Sequence, residues 1–162
     1  MQSGVSVRAA EEHDVALILG FIRELAEFEH LAHTVVATEA ALRAALFGPR
    51  PYAEVVMACI DGEEVGFALY FHSFSTFLAR PGLYLEDLFV TPAARGRGVG
   101  RYLLVWLARI ALERGCGRLE WAVLDWNEAA IGFYRKLGAE LMEEWKTCRV
   151  TGSALAALAA RG

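Results

Sequence analysis

Arg95-Gly96-Arg97-Gly98-Val99-Gly100-Arg101 is the stretch whose reading decides the rest of this chain. It follows a strand-like run, Leu83 to Val90, and opens a long apolar segment, Gly98 to Arg114, that reads as a helix. Glycines carry no Cβ, so backbone N–H groups can turn inward and approach an anion closely. The helix N-terminus behind them adds a positive dipole end and orphan donors. Three arginines in these seven residues supply full charge to a chain whose net charge is −4. The predicted guest is a pyrophosphate.

Two phosphate loops are excluded by spacing. A Walker A loop places Lys-Ser/Thr after its last glycine to reach phosphate and magnesium, whereas Gly100 is followed by Arg101-Tyr102. A dinucleotide fingerprint needs G-x-G-x-x-G directly after a strand. Here the glycines fall at 96, 98 and 100, and Thr91-Pro92-Ala93-Ala94 separates them from the strand. Glu120 stands near the position of a ribose-binding acid, but the glycine spacing argues against that fold.

The remaining composition bounds the answer. At 162 residues and 56% hydrophobic, the chain suits one globular domain spanning 1–162. No run approaches the roughly 20 apolar residues of a membrane helix, and no basic segment followed by an apolar core opens the chain, so neither membrane nor leader is expected. Cys59, Cys116 and Cys148 form no CxxC pair and fit reduced thiols in a cytoplasm. Cys116, between Gly115 and Gly117, reads as a turn residue rather than a nucleophile. The four histidines make no ligand pattern, and no metal is expected. The acidic balance disfavours nucleic acid and suits a small cationic partner.

Along the chain, Val5 to Ala9 alternates as a first strand. Glu11 to Glu29 reads as a helix with Val15, Ile18, Ile22 and Leu25 on one stripe, which Glu29 continues. Thr38 can cap a second helix that ends by Gly48. Ala53 to Ile60 and Val65 to Phe71 flank Asp61-Gly62, a hairpin signal. Ser73 to Pro81 reads as a loop and Leu83 to Val90 as a strand. The helix from Gly98, apolar nearly all round, is expected to be buried on both sides. Leu119 to Leu124 is a strand, Asn127 caps a helix ending at Gly138, and Glu140 to Val150 is expected to add one or two strands before a short helix, Ala154 to Ala160. Antiparallel strands followed by strand–helix–strand–helix make a mixed α/β sheet.

The loop Arg95-Gly96-Arg97-Gly98-Val99-Gly100, set between strand and helix, satisfies the Arg/Gln-x-x-Gly-x-Gly/Ala pattern and resembles the acyl-coenzyme A loop of the GNAT N-acetyltransferases. The blocks Ile22 to Glu29, Tyr84-Leu85-Glu86-Asp87-Leu88-Phe89-Val90 and Trp126-Asn127-Glu128 through Phe133-Tyr134 extend the likeness to the diamine (polyamine) acetyltransferases and their thialysine-acetylating relatives. It fades from Lys146 to Ser153 and in the alanine-rich tail. The resemblance implies a mostly antiparallel sheet of six to seven strands, splayed at the cofactor site and flanked by about four helices. It implies acetyl-coenzyme A as co-substrate, with Leu88, Phe89 and Val90 holding the pantetheine arm through backbone groups. Residues 95 to 101 (Arg95, Gly96, Arg97, Gly98, Val99, Gly100 and Arg101) would hold the pyrophosphate, with Asn127, Glu128 and Tyr134 also against the cofactor. It further implies a homodimer.

The chemistry sets further demands. A lysine-like amine, pKa about 10.4, is neutral in roughly one molecule in 2,500 at pH 7, a penalty of about 4.6 kcal/mol. A carboxylate can relay the proton away directly or through one water. Glu86, in mid-strand, is the candidate; strand alternation would let either Glu86 or Asp87 enter a cleft, not both. The leaving thiolate needs a proton. By resemblance Tyr134, seven residues after Asn127 and on the same helix face, is the general acid. By resemblance too, Phe28 and Glu29, with Glu86, Asp87 and Trp145, line a groove for a small diamine, polyamine or lysine-like amino acid. The alternatives are acetylation of a protein N-terminus, a lysine or an amine-bearing antibiotic, and a coenzyme A-binding module without turnover.

Overall fold

The computed structural model describes residues 4–162. Two compact units divide the chain, one ending at Leu124 and the other beginning at Asp125.

The first unit holds the sheet. Its strands are β1 (Val5–Ala9), β2 (Glu54–Ile60), β3 (Glu63–Ser75), β4 (Arg80–Val90) and β5 (Leu119–Trp121), in that spatial order. The pairs β1–β2, β2–β3 and β3–β4 are antiparallel, and β4–β5 is parallel. The helices are α1 (Val15–Phe28), α2 (Glu39–Phe47) and α3 (Val99–Glu113). A parallel return of the chain requires a crossover, and α3 supplies it between β4 and β5.

Local signals account for most of these elements. Asp61 and Gly62 both adopt positive φ (52° and 87°), the backbone of a two-residue turn whose twist matches its flanking strands. Thr38 caps α2, its hydroxyl accepting from Ala41 N at 3.1 Å. Val15 and Ile18 of the α1 stripe are fully buried, joined by Leu19 and Phe21. Ile18 and Phe21 pack with Leu46 of α2, with Val55, Met57 and Cys59 of β2, and with Phe67 and Phe89. The Phe21 ring lies 5.9 Å from Phe67 and 5.5 Å from Phe89. The alternate residues of β2, Val56, Ala58 and Ile60, are also buried, so this sheet is covered on both faces. Tyr70 meets Trp106 of α3 at 6.2 Å.

Several expectations need correction. Among the described residues the sheet has five strands rather than six to seven, because 140–150 forms no strand. The stretch Ser73 to Pro81 is not a loop. β3 and β4 stay paired out to Ser75 and Arg80, and only residues 76–79 turn, with Ala79 at φ 52°. Non-local pairing overrides the polar, aromatic composition there. β5 spans three residues, not the six from Leu119 to Leu124. The helix expected from Glu11 begins as a separate 3-10 turn, Glu12–Asp14. α3 is buried along one face (Val99, Leu103, Leu104, Leu107, Ala111) and leaves Tyr102, Val105 and Leu112 exposed, so it is not enclosed on both sides.

The second unit contains α4 (Glu128–Lys136) and α5 (Gly152–Ala159), joined by irregular chain. Asn127 caps α4, its Oδ1 accepting from Ala130 N at 3.2 Å, and Gly138 follows at φ 92°.

A buried charge locks β1 to the start of α1. Asp14, 4% exposed, accepts from Arg8 Nη1 and Nη2 at 2.7 and 2.8 Å and from Glu11 N at 2.8 Å; Arg8 also donates to Glu64 at 2.7 Å. Replacing Asp14 with Ala leaves a guanidinium and a backbone N–H short of a partner, and should cost about 2–4 kcal/mol of stability in urea denaturation. Hydrogen bonds from Arg8 hold the Asp14 carboxyl below its ordinary value. Its contribution is therefore complete above about pH 4 and is lost as the pH falls through the lower folded pKa, so the Ala variant should show a flatter acid limb than the parent.

Candidate active site

The central feature is the far half of β4. β3 pairs with β4 along its whole length, but β5 pairs only with Leu83, Tyr84 and Leu85. From Glu86 to Val90 no strand among the described residues pairs with β4 on that edge. At the same point the β3–β4 register slips, with Tyr70 opposite Leu85 and Leu69 opposite Asp87, leaving Glu86 as an extra, bulged residue. A bulge bends its strand, increases the local twist and re-aims side chains. β3 stays paired with β4 through the bulge to Val90, while β5 ends opposite Leu85.

The acids gather around this opening. Glu86 is exposed at the bulge, while Asp87 is partly buried. Glu29 caps the C-terminal end of α1 and is half-buried. Burial, followed by the charges of Glu86 and Glu29, pushes the Asp87 carboxyl up to about 6. Burial alone raises Glu29. Tyr84 is raised by burial and then by the charges of Glu86 and Glu120. Sequence reasoning favoured Glu86 over Asp87, yet Asp87 is the carboxyl whose titration the site moves toward neutrality. The signal that could have found it, a bulge displacing the alternation, depends on the pairing partner and is silent in the sequence.

The glycine loop forms as expected. A 3-10 turn, Pro92–Ala94, leads to Gly96 at φ 76° and Gly98 at φ 81°, conformations that side chains resist. Gly98 is the N-cap of α3 and offers no capping side chain, so the first-turn N–H groups of the helix remain available as donors. Arg97 and Arg101 are exposed.

Arg95 is engaged differently. Its Nε donates to Val90 O at 3.0 Å, and its guanidinium lies 5.3 Å from the Phe28 ring and 5.7 Å from the Phe89 ring. Phe28, expected at the amine groove, thus covers Arg95, and the Val90 carbonyl, expected along the pantetheine arm, already accepts a hydrogen bond.

In the second unit, Asn127 Oδ1 is occupied as the α4 cap. Tyr134 lies two turns further along the same helix, its ring 5.6 Å from Phe133, and Glu128 opens the helix. Trp145 is 75% exposed in a turn closed by Trp145 N to Met142 O. Cys59 and Cys116 are buried and Cys148 is exposed. Among the described residues no group of His, Cys, Asp or Glu side chains is arranged to hold a metal.

Comparison with known proteins accords with this geometry. The model of the Acetyltransferase (GNAT) family matches residues 19–139. The thialysine N-epsilon-acetyltransferase of Mus musculus is 42% identical over 96% of this chain and 97% of its own length. The L-ornithine N5-acetyltransferase NATA1 of Arabidopsis thaliana is 34% identical over 94% of this chain and 86% of its own. Among solved structures, an integron cassette protein from the mobile metagenome of V.cholerae superposes with a TM-score of 0.80 at 30% identity, covering 97% of this chain and 98% of that one. The chain belongs to the GNAT acetyltransferase family, and it is an acetyltransferase.

Because Asp87 titrates near 6 when folded and near 4 when unfolded, its ionisation opposes folding at high pH. Asp87→Asn should therefore stabilise the protein by about 1–3 kcal/mol at pH 8, the gain shrinking as the pH falls through 6 and vanishing near 4. Urea midpoints for the two proteins across that range measure it.

Proposed function

We propose that this enzyme transfers the acetyl group of acetyl-coenzyme A to the distal primary amine of a small cationic substrate, in the first place a lysine-like amino acid such as thialysine and then a diamine or polyamine. The observation that carries the reading is the opening along β4 from Glu86 to Val90, with acids at its start and the glycine loop beyond its end. An extended chain can be held there as an added strand. The left-handed glycines and the uncapped start of α3 suit a pyrophosphate. The substrate class draws support from the relatives, named for thialysine and ornithine, both of which carry a side-chain amine.

The bound co-substrate supplies a thioester that the amine nitrogen attacks, with the C–S bond breaking. In this reading Glu29 and Asp87 attract the ammonium form of the substrate, and Glu86 takes its proton directly or through water before attack. Backbone N–H groups of Leu88, Phe89 and Val90 orient the pantetheine arm and polarise the carbonyl. Arg97 and Arg101, with the amides of residues 96–101, balance the pyrophosphate charge, and Asn127 and Glu128 lie along the cofactor. Tyr134 protonates the departing thiolate. A free thiol near 8.5 is the stronger acid by about 2 kcal/mol relative to a phenol near 10, a small cost that hydrogen bonding reduces as charge develops. Trp145 walls the groove.

The family match runs from 19 to 139, across both compact units, which supports reading the chain as one domain. Free cysteines suit a cytoplasmic setting, and no helix among the described residues is long and apolar enough to cross a membrane. A homodimer fits the apolar residues left exposed, among them Phe77, Leu112, Met142, Trp145, Leu155 and Leu158. Light scattering behind size exclusion should therefore return about twice the chain's mass.

Thiol release measured against thialysine, ornithine, lysine, spermidine, putrescine and short peptides tests the substrate class; turnover of peptides alone would overturn it. Tyr134→Phe should lower kcat about 10²- to 10³-fold with the affinity for coenzyme A unchanged, and unaltered turnover would remove Tyr134 from its role.

A further inference from the structure

We propose that Arg95 is a positioning residue that couples the cofactor loop to the amine-binding end of α1, so that each site responds to the state of the other. The inference rests on the function proposed above and deepens it.

Arg95 begins the glycine loop, yet its side chain points back to the sheet and to α1. Nε bonds to the carbonyl of Val90, the last residue of β4, at 3.0 Å. The guanidinium then sits 5.3 Å from the Phe28 ring and 5.7 Å from Phe89. Phe89 is 3% exposed and belongs to the core, whereas Phe28 is 46% exposed and is the last residue of α1. One planar cation thus joins a fixed ring to a surface ring. Its charge also lies at the C-terminal end of α1, where the helix dipole is negative and where the last turn of α1 has no basic residue of its own. The next residue, Glu29, is the acid assigned to the substrate ammonium. The residue after Arg95 is Gly96, the first left-handed position of the loop.

A shift of the loop on binding a pyrophosphate is therefore transmitted through one guanidinium to Phe28 and Glu29. Lysine keeps the charge but cannot reproduce the planar stacking and the Nε bond together. If Arg95 acted only as a phosphate ligand, its replacement would alter cofactor affinity alone, and Phe28 would have no bearing on that affinity.

The test uses the full chain with Arg95→Lys, Phe28→Leu and the double variant, with thermal midpoints confirming folding and Arg95→Gln as a second replacement. Coenzyme A affinity is read by calorimetry, and KM and kcat with thialysine and acetyl-coenzyme A separately. Arg95→Lys should raise the amine KM about 3- to 10-fold, more than it lowers kcat. Phe28→Leu should weaken coenzyme A binding about 2- to 5-fold and have no further effect in the Arg95→Lys background. An unchanged amine KM in Arg95→Lys, an unchanged coenzyme A affinity in Phe28→Leu, or single effects that simply multiply would each overturn the proposal. Coenzyme A calorimetry needs no acceptor. A parent protein that fails to turn over any amine defeats the functional reading, and the coupling is still read from the cofactor affinities.

Discussion

β4 is held by backbone hydrogen bonds on both edges only as far as Leu85, and the arrangement of the site follows from that limit. Up to Leu85 the strand is an interior member of the sheet. Beyond it, β3 continues on one side while β5 has ended on the other, and the Glu86 bulge turns the strand at the same residue. A polar backbone edge is thereby left without a strand partner among the described residues, ahead of a loop suited to anions. Such an edge favours an extended ligand that can complete the ladder.

Charge is sorted along the same strand. Glu86 and Asp87 stand at the beginning of the open segment with Glu29 beside them, and the exposed Arg97 and Arg101 stand past its end. Burial, followed by the charges of Glu86 and Glu29, raises the cost of ionising Asp87. Among the described residues Glu29, Glu86 and Asp87 form no salt bridge, and a carboxylate cluster of this kind gives up some stability. Two other carboxylates of the first unit are held by arginines. Asp14 is enclosed by Arg8, and Glu54 accepts from Arg114 at 2.6 and 2.9 Å.

The elements legible from sequence are those governed by local chemistry. The Asp61-Gly62 turn, the Thr38 and Asn127 caps, the left-handed Gly98 and the buried stripe of α1 each depend on a few neighbouring residues. The missed features depend on distant partners. The hairpin out to Ser75 and Arg80 exists because β3 and β4 remain in register, though Phe74 and Phe77 are exposed and give no alternating signal. One or two strands are expected in 140–150, but among the described residues no ladder takes the segment up. Arg95 fits a phosphate-loop pattern by position, while its guanidinium is claimed by two rings from α1 and β4.

By itself the sequence determined the family, the glycine loop and its place between β4 and α3, because glycine conformation, capping and hydrophobic period act over a turn or two of chain. Tertiary structure alone decided which carboxyl is buried, where β5 leaves β4, and that Arg95 reaches Phe28. Each of these depends on the register and spacing of segments far apart in the chain, where pairing geometry and local dielectric, rather than residue type, set the outcome.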